Sequence, residues 1–166
     1  MSRRLARETA VQVLFQIDMA QGDPARAIEH VAEEFAIPAA SKEFALRLVT
    51  GTLTNMQQID NIVQSVSQEW NMARMANVDR NILRLATYEL FFCPDIPGNV
   101  SVNEAIELAK LYSGDEAGKF VNGILGVLLG KANKQEPDKG SKHEVPSLPK
   151  ELEMGESAPV VQGDVE

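Results

Sequence analysis

Apolar residues recur every three or four positions along residues 3–130, which is the period of a helix with one buried face. No segment shows the sustained alternation of apolar and polar residues that a half-buried strand requires. The pattern therefore predicts six main helices joined by short turns, and an all-α fold.

Glycine and proline separate the first two predicted helices. Gly22 and Pro24 end a helix over residues 3–21 and begin the next, because proline suits the first helical position. Pro38 cannot continue a helix, so the second helix is expected to end before it.

Polar residues mark the starts of the later helices. Ser41 is expected to cap a long third helix that reaches residue 66, and Asn77 the helix that follows it. Residues 101–104 and 113–116 have the spacing of a capping box, in which a Ser side chain and a Glu side chain bond each other's backbone amides. Each of these segments is therefore expected to open one of the last two helices.

The composition changes at residue 134. The stretch 134–166 is rich in Lys, Glu, Pro, Ser and Gly and holds few large apolar residues. Such a stretch cannot bury enough apolar surface to offset the entropy of ordering it. We therefore expect a helical domain over residues 1–133 and an acidic, disordered tail over residues 134–166.

The net charge of −8 argues at first against a nucleic-acid binder, because phosphate would be repelled. The charge is unevenly placed, however. Residues 132–166 hold four lysines and eight acidic residues, whereas the first seven residues hold three arginines and no acid. A local basic face on an acidic protein is therefore compatible with the composition.

Catalytic and metal-binding patterns are missing from the sequence. His30 and His143 have no Cys or second His at metal-ligand spacing, and nothing else marks a catalytic triad. The single cysteine, Cys93, allows no internal disulfide. The longest apolar run, residues 123–130, is too short to span a membrane, and no secretory signal core follows the first arginines. We expect a cytoplasmic protein that is not an enzyme and needs no metal or cofactor.

Three arginines occupy one arc of the first predicted helix. Arg3, Arg4 and Arg7 lie within about 100° of each other around the helix axis, and Phe15 continues the arc. Guanidinium groups bind phosphates bidentately and an unpaired base stacks on an aromatic ring, which favours an RNA-binding surface. The alternative is a solvated helix start with Phe15 in the core, and composition leaves both interpretations open.

The last predicted helix carries an unusual number of glycines. Gly118, Gly123, Gly126 and Gly130 each cost about 1 kcal/mol relative to Ala inside a helix. Glycine at such positions indicates the close approach of another backbone. That backbone could belong to a neighbouring helix of the same fold or to a bound partner, and spacing does not separate the two.

Several segments together resemble the NusB family of transcription antitermination factors. The resemblance spans residues 3–130 in the right order, and its last two motifs are the most specific. The segments are RRLARE at residues 3–8, AVQVLF at 10–15, LRLATYEL at 83–90, VNEAIELAK at 102–110 and KFVNGIL at 119–125.

The resemblance implies an all-helical fold of two packed three-helix halves. It also implies binding of boxA-type single-stranded RNA together with NusE, a small-subunit ribosomal protein. The resulting complex modifies elongation by RNA polymerase, notably on ribosomal RNA operons. Carried over by motif, the RNA-binding residues are Arg3, Arg4, Arg7, Phe15, Lys119, Phe120 and Asn122, and the NusE-facing residues are Asp79, Arg80 and Glu116.

Some features depart from the family pattern. Family members often carry a denser arginine run and a Tyr in place of Phe15, and the acidic tail is not part of the pattern. The same helical domain also occurs fused to ribosomal RNA cytosine methyltransferases, but we expect no catalytic domain here. The alternative function is a protein–protein scaffold that does not bind RNA. A homodimer also stays open, through faces that carry Met56, Met72 and Met75.

Overall fold

The computed structural model describes residues 2–67, 69 and 71–134, and within them the chain is helical with no strand. The predicted all-α class is confirmed. The predicted tail over residues 134–166 lies outside the described residues, apart from Lys134 at its boundary. The helices are α1 (Arg3–Ala20), α2 (Pro24–Glu34), α3 (Ala39–Thr54), α4 (Met56–Val66), a short 3-10 helix (Met72–Arg74), α5 (Asn77–Phe92), α6 (Gly98–Ser113) and α7 (Asp115–Lys134).

The helices form two groups that share one core. Helices α1, α2 and α3 pack on one another, and α4 to α7 pack around α5. Both α1 and α3 also contact α5, which joins the groups. The expected two halves are present, but the second has four helices rather than three.

The extra helix arises because the predicted third helix breaks at Asn55. The backbone of Asn55 leaves the helical region, with φ −106° and ψ 18°. Its side-chain amide donates to the carbonyl of Gly51 at 2.8 Å. Asparagine offers the backbone this kind of alternative hydrogen bond, so it ends α3 where the apolar pattern alone continues.

The expected starts of α3, α5 and α6 are wrong by one to four residues. Asn77 is already the first residue of α5, so it does not cap that helix. The starts of α3 and α6 directly follow Pro38 and Pro97, ahead of the serines that were expected to cap them. Proline fixes the φ of a residue at the helix entrance and thereby competes with a polar cap for this position.

The two displaced serines connect helices instead. Ser41 is buried, and its hydroxyl donates to the carbonyl of Ser2 at 3.2 Å, which ties α3 to the start of α1. Ser101 is also buried, and its hydroxyl donates to Oε1 of Glu89 at 2.7 Å, which ties α6 to α5. Both hydroxyl groups therefore position the elements that surround the start of α1.

Helices α3 and α5 approach closely at Gly51. A Cβ atom at this position would overlap the ring of Tyr88. That ring stacks on Phe92, with 5.8 Å between the centroids. Glycine here allows α3 to lie against α5, which places the amino-terminal group against the second one.

Candidate nucleic-acid interface

The start of α1 is well defined. The hydroxyl of Ser2 accepts a hydrogen bond from the backbone amide of Leu5 at 3.1 Å, which caps the helix. Arg3, Arg4 and Arg7 therefore stand in its first two turns. Although they share one arc, the three guanidinium groups lie in different surroundings.

Arg7 is buried. Its Nε and Nη2 donate to the two carboxylate oxygens of Glu89 at 2.9 and 2.7 Å, and both side chains are about 97% shielded from solvent. The hydroxyl of Ser101 adds a third bond to the same carboxylate. This network joins α1, α5 and α6, so Arg7 holds the arginine-bearing turn in place and does not lie on the surface.

Arg4 is exposed. It pairs with Glu104 of α6, and 55% of its side chain stays accessible to solvent. Glu104 also lies 3.7 Å from Nη1 of Arg7, so one carboxylate faces both arginines. Because the Arg4 side chain itself is open to water, its guanidinium can exchange this partner for another anion.

Arg3 lies over an aromatic ring that the sequence pattern does not predict to be near α1. Its guanidinium carbon is 4.5 Å from the ring centroid of Phe44 on α3. Arg7 and Arg47 flank the same ring at 5.7 and 5.8 Å. We call Arg3, Arg7 and Arg47 around Phe44 the Phe44 cluster; its cation–π contacts orient guanidinium groups from two helices.

The signal for Arg47 was present in the sequence. Phe44 and Arg47 are three residues apart on a predicted helix, so they share a face. Nothing in the sequence states, however, that this face of α3 meets the start of α1. Long-range packing brings the two arginine sets together.

Phe15 lies about three turns further along α1. It is half-buried and lines a groove of about 290 Å³ with Val11, Val78 and Tyr112. Gln12 donates to the Tyr112 hydroxyl at 3.4 Å across the edge of this groove. The groove can therefore present an aromatic face, and buried Val11 forms part of its floor.

The three predicted residues of α7 lie elsewhere. Lys119 is exposed and pairs with Glu116 at 3.6 Å. Lys119 and Phe120 line a separate depression of about 530 Å³ between α4 and α7, and Asn122 is exposed on the outer surface. Phe15 and Phe120 therefore line different depressions.

The glycines of α7 do not serve internal packing at three of four positions. A Cβ atom at Gly123, Gly126 or Gly130 would meet no atom within 4 Å. Only at Gly118 would it approach a neighbour, the Lys110 side chain at 2.8 Å. Close packing against a neighbouring helix of the same fold therefore does not explain the glycines at positions 123, 126 and 130.

Two of the three residues expected to face NusE, Asp79 and Arg80, lie at the start of α5, whereas Glu116 lies in the first turn of α7. Arg80 donates to Oδ2 of Asp18 at 2.7 Å and to the carbonyl of Met72 at 3.0 Å, so it also anchors the 3-10 helix. Burial opposes ionisation of Asp18, but hydrogen bonds from Arg80 and Asn81 hold its pKa below the usual value. Asp79 is half-buried, and its Oδ1 has no hydrogen-bond partner.

The three methionines considered for self-association do not form one exposed surface. Met72 and Met75 belong to the core, and Met56 is half-buried.

The described part of the chain contains no helix that could cross a membrane. The same residues contain no group of His, Cys, Asp and Glu side chains that could hold a metal ion.

Comparison with known proteins decides the family. The sequence model of the NusB family matches residues 4–129. The chain belongs to the NusB family. Transcription antitermination protein NusB of Pelotomaculum thermopropionicum is 53% identical over 137 residues, which cover 82% of this chain and 95% of that relative. The protein of the same name from Desulfitobacterium hafniense (strain DSM 10664 / DCB-2) is 54% identical over 143 residues, with 85% and 96% coverage.

Solved NusB structures share this fold. T. maritima NusB superposes with a TM-score of 0.73 at 35% identity, covering 93% of this chain and 98% of that one. A crystal structure of the antitermination factors NusB and NusE in complex with dsRNA gives 0.71 at 32% identity, with 77% and 96% coverage. The NusB fold of the chain is therefore supported by both sequence and structure.

Proposed function

We propose that this NusB-family chain is a cytoplasmic, non-enzymatic transcription antitermination factor. It binds boxA-type single-stranded RNA together with NusE and modifies elongation by RNA polymerase, notably on ribosomal RNA operons. The observation that carries the proposal is the exposed pair of Arg3 and Arg4 at the capped start of α1, with Phe15 in an apolar groove further along the same helix.

In this proposal the exposed arginines bind the RNA backbone. Arg3 and Arg4 are oriented by the Phe44 ring and by Glu104, so little side-chain entropy is lost when a phosphate replaces water or carboxylate. A base that leaves the strand stacks on Phe15 in its groove. Arg7 supports the site from below, because its buried bond to Glu89 fixes the turn from which Arg3 and Arg4 project.

Residues on α7 and α5 extend the surface to the partner. Lys119, Phe120 and Asn122 are proposed RNA neighbours at the second depression, between α4 and α7. Asp79, Arg80 and Glu116 are proposed to face NusE. Arg80 acts there mainly by holding the start of α5 and the 3-10 helix, since its guanidinium is already paired with Asp18.

A partner is needed because the charge of this chain favours RNA poorly. Residues 1–131 hold twelve basic and sixteen acidic residues, a net charge of −4. Long-range attraction of RNA is therefore weak, and two arginines with one stacked base make a modest site. A basic partner beside this surface would hold the strand at a second point and raise the apparent affinity through effective concentration.

The test is a titration of single-stranded boxA-type RNA with this protein, with NusE and with both at one salt concentration. We expect the mixture to bind more tightly than either protein alone, and RNA to tighten the protein–protein contact by the same factor. A duplex of the same sequence serves as a second ligand and should bind more weakly. If the chain binds NusE but the mixture binds RNA no more tightly than NusE alone, the chain is a protein–protein scaffold and the proposal fails.

A further inference from the structure

Arg47 stands beside the proposed RNA-binding arginines, although it belongs to another helix. It lies one helical turn after Phe44 on α3, and its guanidinium flanks the Phe44 ring that Arg3 covers. Helix packing, not sequence proximity, therefore places a third accessible guanidinium next to the start of α1. Its side chain is 40% exposed, so it can be reached from solvent.

The partner of Arg47 is a carboxylate in an equally open position. Nη1 and Nη2 of Arg47 donate to the two oxygens of Asp95 at 3.0 and 2.7 Å, and Asp95 is 51% exposed. The bidentate geometry matches what a phosphate group offers, because both anions present two acceptor oxygens in one plane. A phosphate can therefore take the place of Asp95 without moving the arginine.

The surroundings of Asp95 are positive. The hydrogen bonds from Arg47 hold the pKa of Asp95 below its ordinary value, and the charge of Arg3 acts in the same direction. The guanidinium groups of Arg47 and Arg3 thus both act on the Asp95 carboxylate. Arg4, the other exposed arginine of this face, is paired with Glu104. In the free protein the carboxylates of Asp95 and Glu104 cover the basic face.

We propose that Arg47 is a further phosphate-binding residue for single-stranded RNA and that Asp95 competes with the RNA for it. The inference rests on the proposed function, since it extends the same RNA surface from α1 to α3. Asp95 keeps the guanidinium extended and oriented until a phosphate displaces it. The carboxylate then turns to solvent, which its exposed position allows at little cost.

The experiment measures the binding of single-stranded boxA-type RNA by the protein together with NusE over a series of salt concentrations. Arg47→Ala should weaken binding about two- to fivefold, the range for one exposed ionic contact. It should also flatten the log–log salt dependence by about 0.7, the slope of one phosphate contact on a single strand. Arg26→Ala, which removes an exposed arginine on α2 outside the Phe44 cluster, is the matched control and should change neither.

Asp95→Asn separates competition from a structural role. If Asp95 competes with RNA, this variant binds RNA about two- to fivefold more tightly, opposite in sign to Arg47→Ala. Asp23→Asn, an exposed acidic residue without a side-chain capping bond, controls for the general loss of negative charge. In the Arg47→Ala background, Asp95→Asn should no longer tighten binding beyond that control.

The outcomes distinguish this inference from the proposed function. Thermal midpoints of all variants check that each one folds. If Arg4→Ala weakens binding but Arg47→Ala behaves like Arg26→Ala, or if Asp95→Asn weakens binding, the role of Arg47 is overturned and the proposed function stands. If the wild-type protein with NusE binds no RNA at any salt concentration, both are overturned.

Discussion

Two arginine–carboxylate pairs in this protein share their chemistry and differ in their surroundings. Arg7 with Glu89 and Arg47 with Asp95 are both bidentate, with N–O distances between 2.7 and 3.0 Å. The first pair is shielded from solvent almost completely, whereas the second is about half exposed. Both guanidinium groups lie within 5.8 Å of the Phe44 ring centroid, so only this side chain separates the buried pair from the exposed one.

The difference in burial gives these two chemically similar arginine–carboxylate pairs different roles. A buried charge cannot lose its partner without a large desolvation penalty, so Arg7 and Glu89 are committed to the fold. An exposed pair contributes little to stability and its members exchange partners readily, so Arg47 can replace Asp95 by another anion. Arginine content therefore does not measure an RNA surface; the accessibility of each guanidinium does.

The largest expected effect comes from breaking the buried pair. Arg7→Met should lower the free energy of unfolding by about 3–5 kcal/mol, because it leaves the Glu89 carboxylate buried without its cation. Arg47→Met is the matched control and should cost no more than about 1 kcal/mol. Chemical denaturation of both variants measures the difference.

A double variant tests the reason for that loss. Arg7→Met with Glu89→Met removes both charges and fills the site with apolar side chains, so most of the lost stability should return. If the double variant is as unstable as Arg7→Met alone, lost packing and not an unpaired charge explains the effect. Equal losses for Arg7→Met and Arg47→Met would contradict the comparison itself.

The third bond of the buried carboxylate should have a smaller effect. Ser101→Ala removes the hydroxyl that donates to Glu89, and a hydrogen bond to a charged group contributes about 1.5–3 kcal/mol. Ser65→Ala removes an exposed hydroxyl that donates to the carbonyl of Ile62, and serves as the control with a loss below about 0.5 kcal/mol. Thermal unfolding of the two variants should rank them in this order.

The exposed arginines should affect RNA binding and hardly affect stability. The double variant Arg3→Ala and Arg4→Ala should flatten the log–log salt dependence of RNA binding by about 1.4, at about 0.7 for each phosphate contact on a single strand. Adding Arg7→Met should not flatten the slope further, because this guanidinium is held by Glu89. A further flattening with Arg7→Met would show that RNA draws the buried arginine to the surface.

The local pattern predicted most of the fold and missed the contacts that shape the site. Period and turn residues located the starts of α1, α2 and α5 within one residue, since each start is decided by nearby residues. Asn55 was missed because its helix-breaking bond to Gly51 depends on one side-chain rotamer. Ser41 and Ser101 were misread as caps because their real partners are 39 and 12 residues away along the chain.

The site shows the same division. The helical wheel placed Arg3, Arg4 and Arg7 on one arc, and the motif resemblance separately implied that all three bind RNA. Only tertiary packing reveals that Glu89 removes Arg7 from the surface and that Phe44 adds Arg47 to it. The burial of Arg7 and the position of Arg47 both depend on which faces of α1, α3 and α5 pack together. A single sequence does not specify this packing.

The smallest expected effect is the response of the exposed pair to acid. Hydrogen bonds from Arg47 lower the pKa of Asp95 in the folded protein, so the unfolded chain takes up a proton at higher pH than the folded one. The stability that this pair contributes is complete above the unfolded value near 3.8 and is lost as the pH falls through the lower, folded value. A double-mutant cycle with Arg47→Ala and Asp95→Ala should give a coupling free energy of about 0.2–1 kcal/mol at pH 7.

The coupling should vanish once Asp95 is protonated, and at pH 7 it should shrink in high salt because the pair is open to solvent. The cycle is needed because many other carboxylates titrate in the same range, and subtracting the single variants cancels their contribution. Measuring it by denaturation at several pH values gives the pH dependence of this one pair. A coupling that persists unchanged in strong acid and high salt would mean that Arg47 and Asp95 behave like the buried pair, and the contrast between fold and binding would be lost.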